Sequence, residues 1–242
     1  MKGVLIGFLA LMIGGSVALD ACAKGTWQPS TAVYPFNLMT LPYTYDFLQP
    51  YVISQIVSAH HDHHHLTYVT KLNAYLATAT NLQSTTLLNL VVNAGSNLSL
   101  QKFAGGDYNH NLFWWQTTSS QCATGSPTGQ LAADINTAFG NFSNFQNLFN
   151  TASAGLFGSG WAWLCADSNG ALIITTTANQ MNPLMTATCT PVFGNDLWEH
   201  AYYLQYLWNK DSYFANFWSI VDWVQVGYFY DTYVSKGQAI PL

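Results

Sequence analysis

Seven histidines occupy only three places in this chain: the run His60, His61, His63, His64 and His65, then His110, then His200. The last stands in Asp196-Leu197-Trp198-Glu199-His200, where Asp196 precedes His200 by four residues and Glu199 is the only glutamate of the sequence. Any fold must account for that concentration, because imidazole and carboxylate without partners are costly to bury. The distribution predicts a metal site gathered from distant segments.

Composition limits the partners. With 242 residues, 50% of them hydrophobic, the chain can bury a sizeable core. Only 7% are charged, the basic residues are six lysines with no arginine, and the net charge is -5. The absence of a basic cluster argues against nucleic acid or anionic lipid as ligand, leaving a small or apolar-faced one.

The N-terminus reads as a leader. Lys2 supplies a short positive start, Val4 to Leu19 an apolar run, and Ala21 and Ala23 an A-x-A relation. This predicts a signal peptide over residues 1–23 and a secreted or exported protein. An uncleaved membrane anchor is the alternative, although the run is short for a span of about twenty residues. Acylation at Cys22 is a weaker one. Cleavage after Ala23 leaves Cys122, Cys165 and Cys189, which allow one disulfide and one leftover thiol, or three separate buried thiols. Asn97 and Asn141 open N-x-S acceptor patterns.

Along the chain the texture changes once. From Tyr45 to Trp115 the apolar residues recur at helical spacing, as in Ile53, Ile56 and Val57, and predict two long antiparallel helices. A loop, Thr117 to Gly129, follows, then shorter helices around Leu131 to Phe139 and Phe145 to Ala152. Trp161 to Leu164 and Ala171 to Thr177 flank Asp167-Ser168-Asn169-Gly170, a hairpin signal. A third strand around Pro191 to Asn195 leads to Asp196, and the aromatic-rich stretch Tyr202 to Tyr233 returns to helix.

On a helix, residues four apart share a face, so His60, His64 and Tyr68 line up with His61 and His65 beside them. For the histidine run alone, an opportunistic metal-scavenging surface tract is an equal reading. His110 and His200, each in a dense aromatic setting, tilt the balance towards one built site.

Six strings carry a resemblance: LPYTYDFLQP (41–50), HHDHHHLTYVTKLN (60–73), AGGDYNHNLFW (104–114), FGSGWAWL (157–164), TANQMNPLM (177–185) and DLWEHAYYLQY (196–206). Together, in this order, they closely resemble the iron/manganese superoxide dismutase family. The resemblance implies an α+β fold: an N-terminal antiparallel helical hairpin (24–120) and a C-terminal α/β domain (121–242) with a three-stranded antiparallel sheet. It places the metal ligands on His60, His110, Asp196 and His200, with solvent as a fifth.

The activity implied is disproportionation of superoxide to oxygen and hydrogen peroxide through M(III)/M(II) cycling, with one manganese, or alternatively iron, per chain. Three imidazoles and a carboxylate suit such a metal. Gln180 matches the glutamine that holds metal-bound solvent in manganese-type members. Iron-type members take that amide from four residues before the second histidine ligand, a place held here by Gly106. Tyr68 and His64 resemble the pair that gates the metal and relays protons, and Trp114, Trp161 and Trp198 would wall the pocket. Glu199 and Tyr203 resemble residues that cross a dimer interface to the partner's metal-side histidines, implying a homodimer or homotetramer. Lys210 alone remains of the basic residues usual after HAYYLQY, and His63 stands where a lysine is common. A non-enzymatic alternative is a dismutase-like structural subunit of a larger or membrane-associated assembly.

Overall fold

The computed structural model of the protein describes residues 22–242; the apolar leader expected at the N-terminus lies outside them apart from its last two residues. Two helices bearing histidines dominate the first half. Helix α1 runs over residues 54–76 and contains a π-helical turn, His60–His65, between α-helical Ser54–Ala59 and Leu66–Leu76. After the short α2 (Leu87–Val92) comes α3, residues 100–115, with its own π-helical start, Leu100–Ala104, before α-helical Gly105–Trp115. The two long helices of the sequence pattern are therefore present. Val57, Val69, Leu72 and Leu76 of α1, and Leu112 and Phe113 of α3, are buried, which gives the pair its apolar faces.

The second half opens with α4 (Gly129–Phe139) and α5 (Phe142–Gly155). Asn141 caps α5 by accepting from the Asn144 amide at 2.8 Å, and Gly140 ends α4 at φ +82°. The strands β1 (Gly160–Ala166), β2 (Leu172–Ala178) and β3 (Thr190–Asp196) form an antiparallel sheet in the order β2-β1-β3. The β1–β2 turn is held by Asp167, whose Oδ1 accepts from the amides of Asn169 and Ala171, while Gly170 takes φ +83°. Register matters at one pair: Trp161 lies opposite Asp196, so the strand end that carries a carboxylate faces an indole.

The stretch Tyr202 to Tyr233 is not one helix. It divides into α6 (Tyr203–Tyr206), α7 (Lys210–Phe217), a 3-10 turn (Trp218–Ile220) and α8 (Trp223–Thr232). The breaks fall at Leu207, which takes φ +51°, and at the extended Val221. Helical periodicity survives across them because α7, the 3-10 turn and α8 bury aromatic residues in the same core, and Tyr206 of α6 packs against it.

The halves are joined by a reciprocal amide clamp. Gln116, at the end of α3, donates its Nε2 to the Gly194 carbonyl and accepts the Gly194 amide at 3.0 Å through Oε1. This fixes the His110 helix against the strand that ends in Asp196.

Cysteine pairing departs from the expectation of a leftover thiol or of separate thiols. Cys165 pairs with Cys189 and Cys122 with Cys22, leaving no free cysteine among the described residues. Cys22, expected to leave with the leader, is held because the following residues pack onto the body. Lys24 pairs with Asp222 at 2.9 Å, the Gly25 amide donates to the Pro42 carbonyl at 2.8 Å, and Trp27 sits edge-on to Phe229 and Tyr233.

Candidate metal centre

Four ligand-type atoms converge from four elements. His60 comes from the π turn of α1, His110 from α3, Asp196 from the end of β3, and His200 from the 3-10 turn Glu199–Ala201. Their candidate ligand atoms all lie within 4.8 Å of one another. Asp196 Oδ2 is 3.1 Å from His60 Nε2, 3.1 Å from His200 Nε2 and 3.7 Å from His110 Nε2. His60, His110 and Asp196 are buried.

The donor set fits a metal on its own terms. The Nε2 atoms of His60 and His110 are buried without a hydrogen-bond partner, which is costly unless something else takes their lone pairs. His110 is set up for this: its Nδ1–H donates to the Gly106 carbonyl at 2.6 Å, so Nε2 is the unprotonated nitrogen. Burial lowers His60 to about 4 and pushes His110 well below the usual imidazole range, keeping both neutral near pH 7. Burial would raise the Asp196 carboxyl, but the neighbouring His200 outweighs it and holds it below the usual carboxylate range. Imidazole nitrogens around one carboxylate suit a borderline transition metal, not an all-oxygen magnesium or calcium cage.

Around the ligands stands an aromatic wall. Trp114 packs on His60 at 4.8 Å between ring centres, Trp161 on His110 at 5.4 Å and Trp198 on His200 at 5.5 Å. Gln180, in the β2–β3 connection, is buried and tightly oriented. Its Oε1 accepts from Trp161 Nε1 at 3.0 Å and from Asn109 Nδ2 at 3.3 Å, so Nε2 points outward and donates to Tyr68 Oη at 3.0 Å. Burial raises the Tyr68 phenol to about 12, partly offset by that hydrogen bond.

His64 lies exposed at the rim, its ring stacked on His200 at 4.2 Å. Glu199, next to His200 in the chain, and Tyr203 are exposed. His63 is exposed, and Lys210 sits over the Tyr202 ring. His61 is a separate pair, bonded to Asp62 and to the Met39 carbonyl.

Three residues of the site went unread in the sequence. Asn109, which braces Gln180, is itself held by Asn182 Nδ2 at 2.8 Å. Asp107 binds His65 Nε2 at 2.9 Å. The signal was present for Asn109 and Asp107, one and three residues from His110, but nothing in spacing says which side chains brace which. Asn182, two residues after Gln180 in TANQMNPLM, had the same cue.

A buried carboxylate and three imidazoles between a helical hairpin and a sheet define a mononuclear metal centre. The profile of the iron/manganese superoxide dismutase alpha-hairpin domain matches residues 35–118, and that of the family's C-terminal domain residues 127–228. The manganese superoxide dismutase 1 of Leptolyngbya boryana is 39% identical over 93% of this chain and 94% of its own length. The manganese superoxide dismutase of Listeria monocytogenes is 42% identical over 78% of this chain and 94% of its own. The chain belongs to the iron/manganese superoxide dismutase family. Its activity is accordingly that of a superoxide dismutase.

Proposed function

We propose that the protein is a manganese-loaded superoxide dismutase that works as a dimer after export. His60, His110, Asp196 and His200 would hold the metal, which when bound supplies one-electron chemistry between M(III) and M(II) for the disproportionation of superoxide. The observation that carries the reading is the convergence of these four atoms beside the Gln180–Tyr68 hydrogen bond. No ligand is lost, so nothing favours a purely structural subunit.

Manganese is preferred to iron because the amide comes from Gln180. A β-carbon at Gly106 would lie 2.4 Å from the Tyr68 ring, so no side chain reaches the centre from there without displacing the tyrosine. The relatives named manganese enzymes agree with this choice.

The chain's own groups manage the two protons that peroxide requires. Gln180, clamped on its oxygen, offers only N–H towards Tyr68. Tyr68 accepts that bond and keeps its hydroxyl proton to present to the pocket, where a phenol raised to about 12 stays protonated. The three tryptophans exclude bulk water and shape a pocket suited to a small diatomic anion. His64 narrows the entrance.

The dimer reading rests on the rim. Tyr203, Leu204, Leu207 and Trp208, which follow Glu199 closely in the chain, are all exposed, Trp208 at 82%, as are Tyr45 and Leu66. Such an apolar group next to exposed site residues suits an interface through which Glu199 and Tyr203 serve the partner's His200 and His64.

Export is supported by the leader pattern and by the cysteine bridges, which suit an oxidising compartment. We place processing upstream of Cys22, a reading supported by the Cys22–Cys122 bridge, which also engages the thiol that acylation would need. None of the described helices is long and apolar enough to cross a membrane. The native N-terminus, determined by sequencing, should precede Cys22; a start at Lys24, or an intact Met1 in a cytosolic fraction, would refute this.

The test of the activity is metal analysis joined to a superoxide-removal assay on one preparation. About one manganese per chain with activity is expected. Several loosely held ions per chain without activity would support scavenging by the histidine run instead.

A further inference from the structure

We infer that Asp107 is a positioning residue that lowers the reduction potential of the centre, acting from behind the ligand His110 through His65. The inference rests on the family reading of the metal site. Asp107 and His65 are both buried, at 2% and 0% exposure, although neither is a ligand.

The protons on this pair can be placed from donor types alone. Trp114 Nε1 can only donate, and it lies 3.2 Å from His65 Nδ1, so Nδ1 is the bare nitrogen. His65 therefore carries its proton on Nε2 and donates it to Asp107 Oδ1 at 2.9 Å. Asn111 Nδ2 donates to the same oxygen at 3.0 Å. Two donors on one oxygen describe an ionised carboxylate. His65 is neutral, and no lysine among the described residues pairs with Asp107. The anion is thus held by dipoles and not neutralised.

Its position gives the charge an effect. The His65 ring stacks on His110 at 5.2 Å between centres and 22° between planes. Asp107 lies three residues before His110 on α3, and the contacts through His65, 2.9 Å and then 5.2 Å between ring centres, keep its carboxylate within roughly 10 Å of the His110 ligand nitrogen. Asp107 also forms part of the wall of a cavity of about 310 Å³ whose polar lining includes Gln28, Asn37 and Asn111, so an intermediate effective dielectric applies. At an effective dielectric of about 20, a unit charge at that distance changes a one-electron equilibrium by roughly tenfold. The sign follows from charge: a nearby anion favours M(III) over M(II), so it lowers the potential, and removing it raises the potential.

The test compares the metal-loaded wild type with Asp107→Asn and Asp107→Glu. Asparagine keeps an acceptor for His65 and deletes the charge; glutamate restores the charge. Redox titration of the metal's visible absorption should show Asp107→Asn raised by about 59 mV, the equivalent of a tenfold change in a one-electron equilibrium. Asp107→Glu should return most of the way to the wild type. Metal content and circular dichroism on the same samples verify that folded, loaded protein is compared. A folded, loaded Asp107→Asn with the wild-type potential overturns the inference. So does an equal shift in both variants, which would mean lost packing and not lost charge. A wild type without a titratable metal would instead sink the family reading on which the inference stands.

Discussion

What makes each imidazole a ligand is the partner of its other nitrogen and the burial of its ring. His110 shows both, with Nδ1 spent on the Gly106 carbonyl and Nε2 left bare in the interior. His110→Ala should therefore abolish tight metal binding, while His63→Ala, at an exposed position in the run, should leave the metal content unchanged. Metal analysis after dialysis decides; equal retention in both variants would mean that the histidine run binds without the built site. Gln180 works one step further out. Its amide touches Tyr68, Trp161 and Asn109 and none of the four ligands. Gln180→Ala should keep near-normal metal content while losing at least roughly tenfold in turnover, about 1.4 kcal/mol of transition-state stabilisation. The cavity left behind should also lower the melting temperature. Full activity in a loaded Gln180→Ala protein would remove both the assigned role and the preference for manganese.

At the scale of elements, the two helices that carry His60 and His110 each contain a π-helical turn, at His60–His65 and at Leu100–Ala104. Such turns widen the helix locally and recur at functional sites. Here the first one lets His60, His61 and His65 all face inward while His64 reaches the rim. Periodicity of 3.6 could place these residues on one helix and pair His60 with His64, but it could not reveal a wider turn, because a π turn is a local departure from the very period being read. The strand positions were legible for the opposite reason: Asp167 to Gly170 is a turn with its own chemistry, and the β-branched run of β2 follows it directly. The ligands were legible through motif resemblance. Their braces Asn109 and Asn182 were not, since an amide's partner is set by tertiary approach. The same close approach makes α3 intolerant of growth at Gly106, whose added β-carbon would meet the Tyr68 ring. Gly106→Ala should displace Tyr68, cut turnover and destabilise the fold by about 1–3 kcal/mol, as overpacking does. Unchanged activity and melting temperature would show that Tyr68 has room to retreat.

For the whole molecule, the centre is an assembly of two halves, and its integrity depends on how these are held. Gln116 clamps α3 to β3 from inside, and the segment from Cys22 to Trp27 does so from outside, crossing to Asp222 and to the aromatic face of α8. The Cys22–Cys122 bridge closes a loop with a sequence separation of 100 residues. A loop of that size removes unfolded-state entropy worth about 4–5 kcal/mol in the chain-entropy account. The bridge lies at the N-terminal strap and contributes no ligand, so its effect belongs to stability and not to chemistry. Replacing both cysteines, Cys22→Ser with Cys122→Ser, avoids leaving an odd thiol. The double variant of the exported protein should unfold at a temperature lower by about 10 °C, given about 2–4 °C per kcal/mol for a chain of this size, while manganese content and turnover at 25 °C stay near those of the wild type. Reduction of the wild type under conditions that spare Cys165–Cys189 should reproduce the shift. An unchanged melting temperature in the double variant would mean that Lys24, Gly25 and Trp27 hold the strap without the bridge. Lost metal at full foldedness would mean that the strap reaches the centre, through the contact of Lys24 with the Trp115 carbonyl at the end of the His110 helix.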